Sequence, residues 1–161
     1  MTDFDSLYER YARDVYRFAL YLSGSPAQAE DIASETFVRV WTRRDTIRVP
    51  SVKAYLFTIA RNLHVDGRRR EVRHAELPES ISDSAPGPEA SAQDRQELET
   101  VIVALQQLPE VDRAALLMRA QDGIPYEEIA TALGLSLPAA KVKVHRARLR
   151  LAELCGRRRK S

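Results

Sequence analysis

The sequence holds one cysteine, three histidines and six glycines in 161 residues. A single cysteine excludes a disulfide framework and any cysteine-rich zinc site. Cys155 reads most simply as a small packing residue. His64, His74 and His145 fall on three separate segments, which disfavours a local metal cluster. There is no phosphate-cradling glycine loop and no His-Glu-x-x-His pattern, so neither an enzyme nor a cofactor is expected. The longest apolar runs, such as Val101 to Leu105, are too short to span a membrane. Residues 1–20 carry three aspartates and no apolar stretch of the kind a secretory signal needs. A cytoplasmic protein without membrane insertion is expected. Alternation of period two is also missing, which leaves little room for strands.

Helical periodicity fills the space. Phe4, Leu7, Tyr8, Tyr11, Val15, Phe18, Ala19 and Leu22 recur at three and four, one amphipathic helix that Gly24 ends. Ser25-Pro26-Ala27-Gln28 then opens a second helix: a serine cap, proline at the first helical position, glutamine three after the cap. Its apolar stripe runs Ala29, Ile32, Ala33, Thr36, Phe37, Val40 and Trp41, and Asp31, Ser34, Glu35, Val38 and Arg39 lie off it. A third helix is expected over 52–70, with Tyr55, Leu56, Ile59 and Leu63 inward. Residues 75–95 have linker composition, with proline, serine and acidic residues and few large apolar ones. An all-α fold follows: two small helical domains, 1–73 and 96–156, joined by a flexible acidic linker over 74–95, with a basic tail over 157–161. In the second domain, helices are expected from near Gln96, from Pro109, over 126–133, and from Leu137 to about Leu154.

The net charge of +2 conceals a strong asymmetry. Residues 75–100 are net −6, and 141–161 are net +8. The basic segment lies on the last helix, which follows a short helix and the turn Gly134-Leu135-Ser136, the pattern of a helix-turn-helix. At about 100° per residue, Ala140, Val144, Ala147 and Leu151 share the packed face. Pro138, Val142, His145, Arg146 and Leu149 take the opposite one. Lys141 and Arg148 flank it on one side, Lys143 and Arg150 on the other. Such a helix suits a major groove, with tips toward base edges and cations toward the phosphates on both walls. Ser136 caps it, and free N–H groups there suit a phosphate. His145 stays open between a base contact and neutral packing against a sugar. In the first domain, Arg61, Arg68, Arg69, Arg70 and Arg73 gather around Asn62, His64 and Asp66, behind Tyr55 and Phe57. Cations beside aromatics bind single strands by stacking and phosphate neutralisation; a solvated helix end is the equal alternative.

These residues resemble the extracytoplasmic-function sigma factors of bacterial RNA polymerase. Three stretches carry the likeness, in the family's order: Gln28 to Trp41, Tyr55 to Leu63 with Asp66 and Arg68–Arg70 behind it, and Tyr126–Ala130 with Gly134–Ser136 and Lys141–Arg148. The resemblance implies a transcription initiation factor. Asp31, Ser34, Glu35, Val38 and Arg39 would meet the polymerase core. Arg48, Lys53, Tyr55, Arg61, Asn62, Arg68 and Arg69 would hold the melted minus-ten strand, with one base flipped into a pocket. Ser136, Pro138, Lys141, Val142, Lys143, His145, Arg146 and Arg148 would read the minus-thirty-five duplex. An anti-sigma factor is a further family expectation, with the protein on the nucleoid when active or held at the membrane through that partner. Tyr55 stands where the family commonly has Trp, and Ala139 and Val142 stand where it often has Thr and Ser. The last two changes remove hydroxyls from the groove face and point to an unusual upstream element.

Two alternatives belong to other classes. One is a stand-alone helix-turn-helix regulator with an N-terminal helical sensor; the Asp31/Glu35 face and the Arg61–Arg70 cluster weigh against it. The other is an adaptor that binds an anti-sigma protein and no DNA, which would leave the basic last helix without a use.

Overall fold

The computed structural model describes residues 4–43, 51–71 and 92–160. They form seven α-helices and, among the described residues, no strand: α1 (Phe4–Ser23), α2 (Pro26–Thr42), α3 (Val52–Glu71), α4 (Ala92–Gln106), α5 (Glu110–Asp122), α6 (Tyr126–Leu133) and α7 (Leu137–Lys160). The all-α expectation holds.

Local chemistry sets the breaks. Gly24 takes a left-handed φ of 73° and donates its N–H to Leu20 O at 2.8 Å, closing α1. Ser25 Oγ accepts the Gln28 N–H at 3.2 Å, with Pro26 at the first position of α2. Gly134, at φ 67°, turns the chain out of α6, and the Leu135 N–H returns to Ala130 O at 2.9 Å. Ser136 Oγ then accepts the Ala139 N–H at 3.2 Å and starts α7.

Two boundaries move. Helix α4 begins at Ala92, upstream of the expected Gln96, so the last residues assigned to the linker are helical. Asp94 in its first turn favours that start through the helix dipole. Helix α7 runs on past Leu154 to Lys160.

The sequence leaves open whether the halves touch; they do. Helices α1–α3 pack on one another, α4–α7 do likewise, and α1 and α3 also meet α4, α5 and α6. Buried side chains form one connected core, from Val15 and Phe18 through Ile102 and Met118 to Val144 and Ala147. Phe57 is fully buried, its ring stacked on Phe18 at 4.5 Å, so it is withdrawn from the exposed basic cluster. Arg113 is buried as well, its guanidinium donating to the carbonyls of Leu105, Leu108 and, in the other half, Leu22. Gln106 Nε2 donates to Tyr21 O at 2.8 Å beside it.

Candidate nucleic-acid interface

Helix α7 divides as its periodicity requires. Ala140, Val144 and Ala147 are buried against the core and Leu151 is half-buried. Ser136, Pro138, Lys141, Val142, His145, Arg146, Arg148 and Leu149 are exposed, with Val142 at 52% and Leu149 at 61%. Lys143 is half-buried, its Nζ 3.2 Å from Asp112 Oδ1 on α5. Arg146 Nη2 lies 3.6 Å from Asp112 Oδ2. Lys141 and Arg119 sit over the Tyr126 ring, at 5.9 and 4.5 Å from its centroid. The result is an open apolar ridge, Val142 and Leu149, with cations on both flanks.

The residues expected on the single strand divide differently. Asn62, Arg68 and Arg69 are exposed on α3, and Tyr55 is half-buried. Lys53 Nζ pairs with Asp122 at 3.3 Å, across the contact between halves. Arg61 forks onto Glu110, donating from Nε at 2.8 Å and Nη2 at 2.7 Å. That bond raises the Arg61 pKa above its ordinary value. Arg48 lies outside the described residues. His64, grouped in the sequence with the basic cluster of α3, is buried, and neither ring nitrogen has a hydrogen-bond partner among the described residues. Burial first, and then Arg113, push its pKa down to about 4, so the ring is neutral at pH 7.

On the outer face of α2, Asp31, Ser34, Glu35 and Val38 are exposed and Arg39 is half-buried, its Nε 3.4 Å from Glu35. Beside them lies an apolar cleft of about 570 Å³, lined by Phe4, Tyr8, Phe37, Val38 and Trp41. Tyr8 and Trp41 are about half-exposed, at 49% and 47%, although periodicity puts both on the inward stripes. They pack edge-on against Phe37 and Phe4, each at 4.9 Å. Periodicity finds a stripe but not how much of each side chain its neighbours cover: Phe37 and Val40 are buried, while Tyr8 and Trp41 beside them stay half-exposed. Among the described residues no group of histidine, cysteine and acidic side chains is placed to hold a metal, and no helix is long and apolar enough to cross a membrane.

Residues 7–74 match the family model for Sigma-70 region 2, and residues 98–151 that for Sigma-70, region 4. The chain is 34% identical to the ECF RNA polymerase sigma factor SigE of Mycolicibacterium smegmatis over 158 residues, 95% of this chain. It spans only 62% of that longer relative. Against the ECF RNA polymerase sigma factor SigL of Mycobacterium tuberculosis, identity is 35%, covering 92% of this chain and 89% of the relative. The fold is similar to the sigma factor RpoE of Bartonella quintana, solved with the anti-sigma factor NepR, with a TM-score of 0.80 and 29% identity over 96% of this chain and 97% of that one.

Proposed function

The chain belongs to the extracytoplasmic-function (ECF) RNA polymerase sigma factors, and from that premise we propose that it binds the polymerase core, directs it to specific promoters and assists DNA melting. The observation that carries the reading is the pair of matched regions in sigma order, the second ending in a capped basic helix with an open apolar ridge. Helix α7 anchors the minus-thirty-five duplex, with Lys141, Val142, His145 and Arg146 at base edges, Ser136 and Pro138 at the entering phosphate, and Lys143 and Arg148 on the walls. Asn62, Arg68, Arg69, Tyr55, Lys53 and Arg61 hold the melted minus-ten strand, together with Arg48. Asp31, Ser34, Glu35, Val38 and Arg39 face the core enzyme. The protein acts as a transcription factor with no catalytic chemistry of its own, in the cytoplasm. An anti-sigma factor regulates it, as the complex of the Bartonella relative with NepR supports.

Run-off transcription from genomic promoter fragments, with purified core enzyme and with or without this protein, tests the proposal. Protein-dependent, promoter-specific transcripts are the expected result. Duplex binding with no core binding would replace it with the stand-alone regulator.

A further inference from the structure

Helix α5 opens Glu110-Val111-Asp112-Arg113. Acidic residues in a first turn are the ordinary answer to the helix dipole, and a carboxylate doing only that stays near solvent. The Asp112 side chain is only 8% exposed, and its two oxygens are divided between two cations of another helix. Oδ1 takes Lys143 Nζ at 3.2 Å, and Oδ2 faces Arg146 Nη2 at 3.6 Å. Those cations stand three residues apart on α7, where its packed face turns into its open one. The Arg146 side chain is 61% exposed, and its Nη2 approaches the carboxylate at ion-pair rather than hydrogen-bond distance, so the carboxylate biases the guanidinium electrostatically without occupying its donors.

We infer that Asp112 is a positioning residue for duplex readout: it orients Arg146 on the reading side of α7 and holds Lys143 on the phosphate wall beside it, so that sequence discrimination depends on it. This rests on the reading of α7 as the helix that meets the minus-thirty-five duplex. Long cationic side chains are rich in rotamers, and a base edge requires one geometry. A tether from the protein's own core restricts the rotamers before DNA arrives. The carboxylate also offsets part of the positive potential. An untethered lysine or arginine still attracts any phosphate, because that attraction is blind to sequence. Loss of the Asp112 charge therefore raises general affinity and lowers discrimination, opposite signs that a merely structural defect would not produce.

The test uses the full chain, with fluorescence anisotropy on two duplexes: the upstream element of a promoter recovered by run-off transcription, and a scrambled control. Wild type, Asp112→Asn, Arg146→Ala and the double variant are titrated across a salt series. Asp112→Asn is expected to cut the ratio of specific to scrambled affinity about fivefold to tenfold, within the range of one base contact. Most of the change should come from tighter binding to the scrambled duplex, with the log–log salt slope steeper by about one. In the Arg146→Ala background the same substitution should move the ratio less than about twofold. An unchanged ratio, an equal loss on both duplexes, or the full effect in the Arg146→Ala background would each overturn the role of Asp112. If Asp112→Asn fails to fold, Lys143→Met leaves the carboxylate to Arg146 alone. That variant should keep or raise the ratio while flattening the slope by about one, and a lowered ratio would overturn the inference. A wild-type chain with no preference between the duplexes overturns the duplex assignment of α7 and this inference with it. Run-off activity of the same preparation separates that result from a failure of the sigma-factor reading.

Discussion

Arg113 and His64 show how much of this molecule depends on single side chains that no periodicity marks. Burial pushes the Arg113 pKa down to about 10, still well above neutral, so a charged guanidinium sits among backbone carbonyls with little solvent. Arg113→Met strands those acceptors and should cost about 3 kcal/mol in a urea denaturation series, the scale of a buried charged hydrogen-bond network. His64 makes a pH prediction. Its pKa falls from 6.5 to about 4 on folding, so the unfolded chain binds the extra proton first. Stability from this group is complete above pH 6.5 and declines as pH drops from there toward about 4. His64→Leu fills the same space without a titrating ring, so its stability should fall less than that of wild type between pH 7 and pH 5. Equal losses in urea series at the two pH values would remove His64 from the account. Neither burial is legible in the sequence. Arg113 belongs to a net-acidic stretch and His64 to a basic one; α2 residues such as Ile32 lie beside His64, and Arg113 joins the nearby Leu105 and Leu108 carbonyls to Leu22 O, 91 residues away. Ser25, Gly134 and Ser136 are legible because their partners lie within five residues.

Elements show the reverse balance. The packed face of α7 follows from spacing alone, since Ala140, Val144, Ala147 and Leu154 are buried in one core while Val142, His145, Arg146, Arg148 and Leu149 are exposed. Arg146 is 61% exposed and meets the core only through its 3.6 Å approach to Asp112, so Arg146→Ala tests reading at little cost to the fold. It should weaken binding to the specific duplex by about 1–3 kcal/mol without lowering the melting temperature. Loss of equal size on a scrambled duplex would assign Arg146 to phosphate. On α2 the polar face is equally clean: Asp31 and Glu35 are exposed and on no apolar stripe. Asp31→Ala with Glu35→Ala should reduce core-enzyme affinity about tenfold or more while leaving the circular dichroism melt in place. Normal core affinity would move the polymerase contact elsewhere, with the neighbouring Tyr8–Val38–Trp41 patch the next surface to alter. The inward reading of Trp41 failed because a period marks a face and not how much of each side chain the neighbours cover. The early start of α4 and the long run of α7 are the same lesson at boundaries, where a helix runs beyond its buried stripe.

At the scale of the whole molecule, charges proposed to meet DNA are also paired inside the protein. Arg61 and Lys53, both assigned to the melted strand, point across the contact between halves to Glu110 and Asp122. A guanidinium fork that holds a carboxylate through two bonds has little left for a phosphate. The ridge of α7 meanwhile stays open. In this arrangement the ridge proposed to meet duplex is open while part of the surface proposed for the single strand is engaged. Composition shows the acidic and basic blocks, but not which carboxylate finds which cation, because that is set by the packing of α3 on α5 and α6. Glu110→Gln together with Asp122→Asn keeps shape and removes both charges. At about 0.5–1 kcal/mol for each of the two pairs, affinity of the free protein for a minus-ten single strand should rise about fivefold to thirtyfold. Binding to the upstream duplex should not change, since neither residue touches α7 through its side chain in the contacts described. Small-angle scattering on the same samples separates the mechanisms. A larger radius of gyration with tighter strand binding means that the halves part to release Arg61 and Lys53. Tighter binding at constant radius means that the two cations reach DNA without separation. Unchanged strand affinity in an expanded variant would take Arg61 and Lys53 out of the strand-binding set, leaving Asn62, Arg68 and Arg69 to carry it.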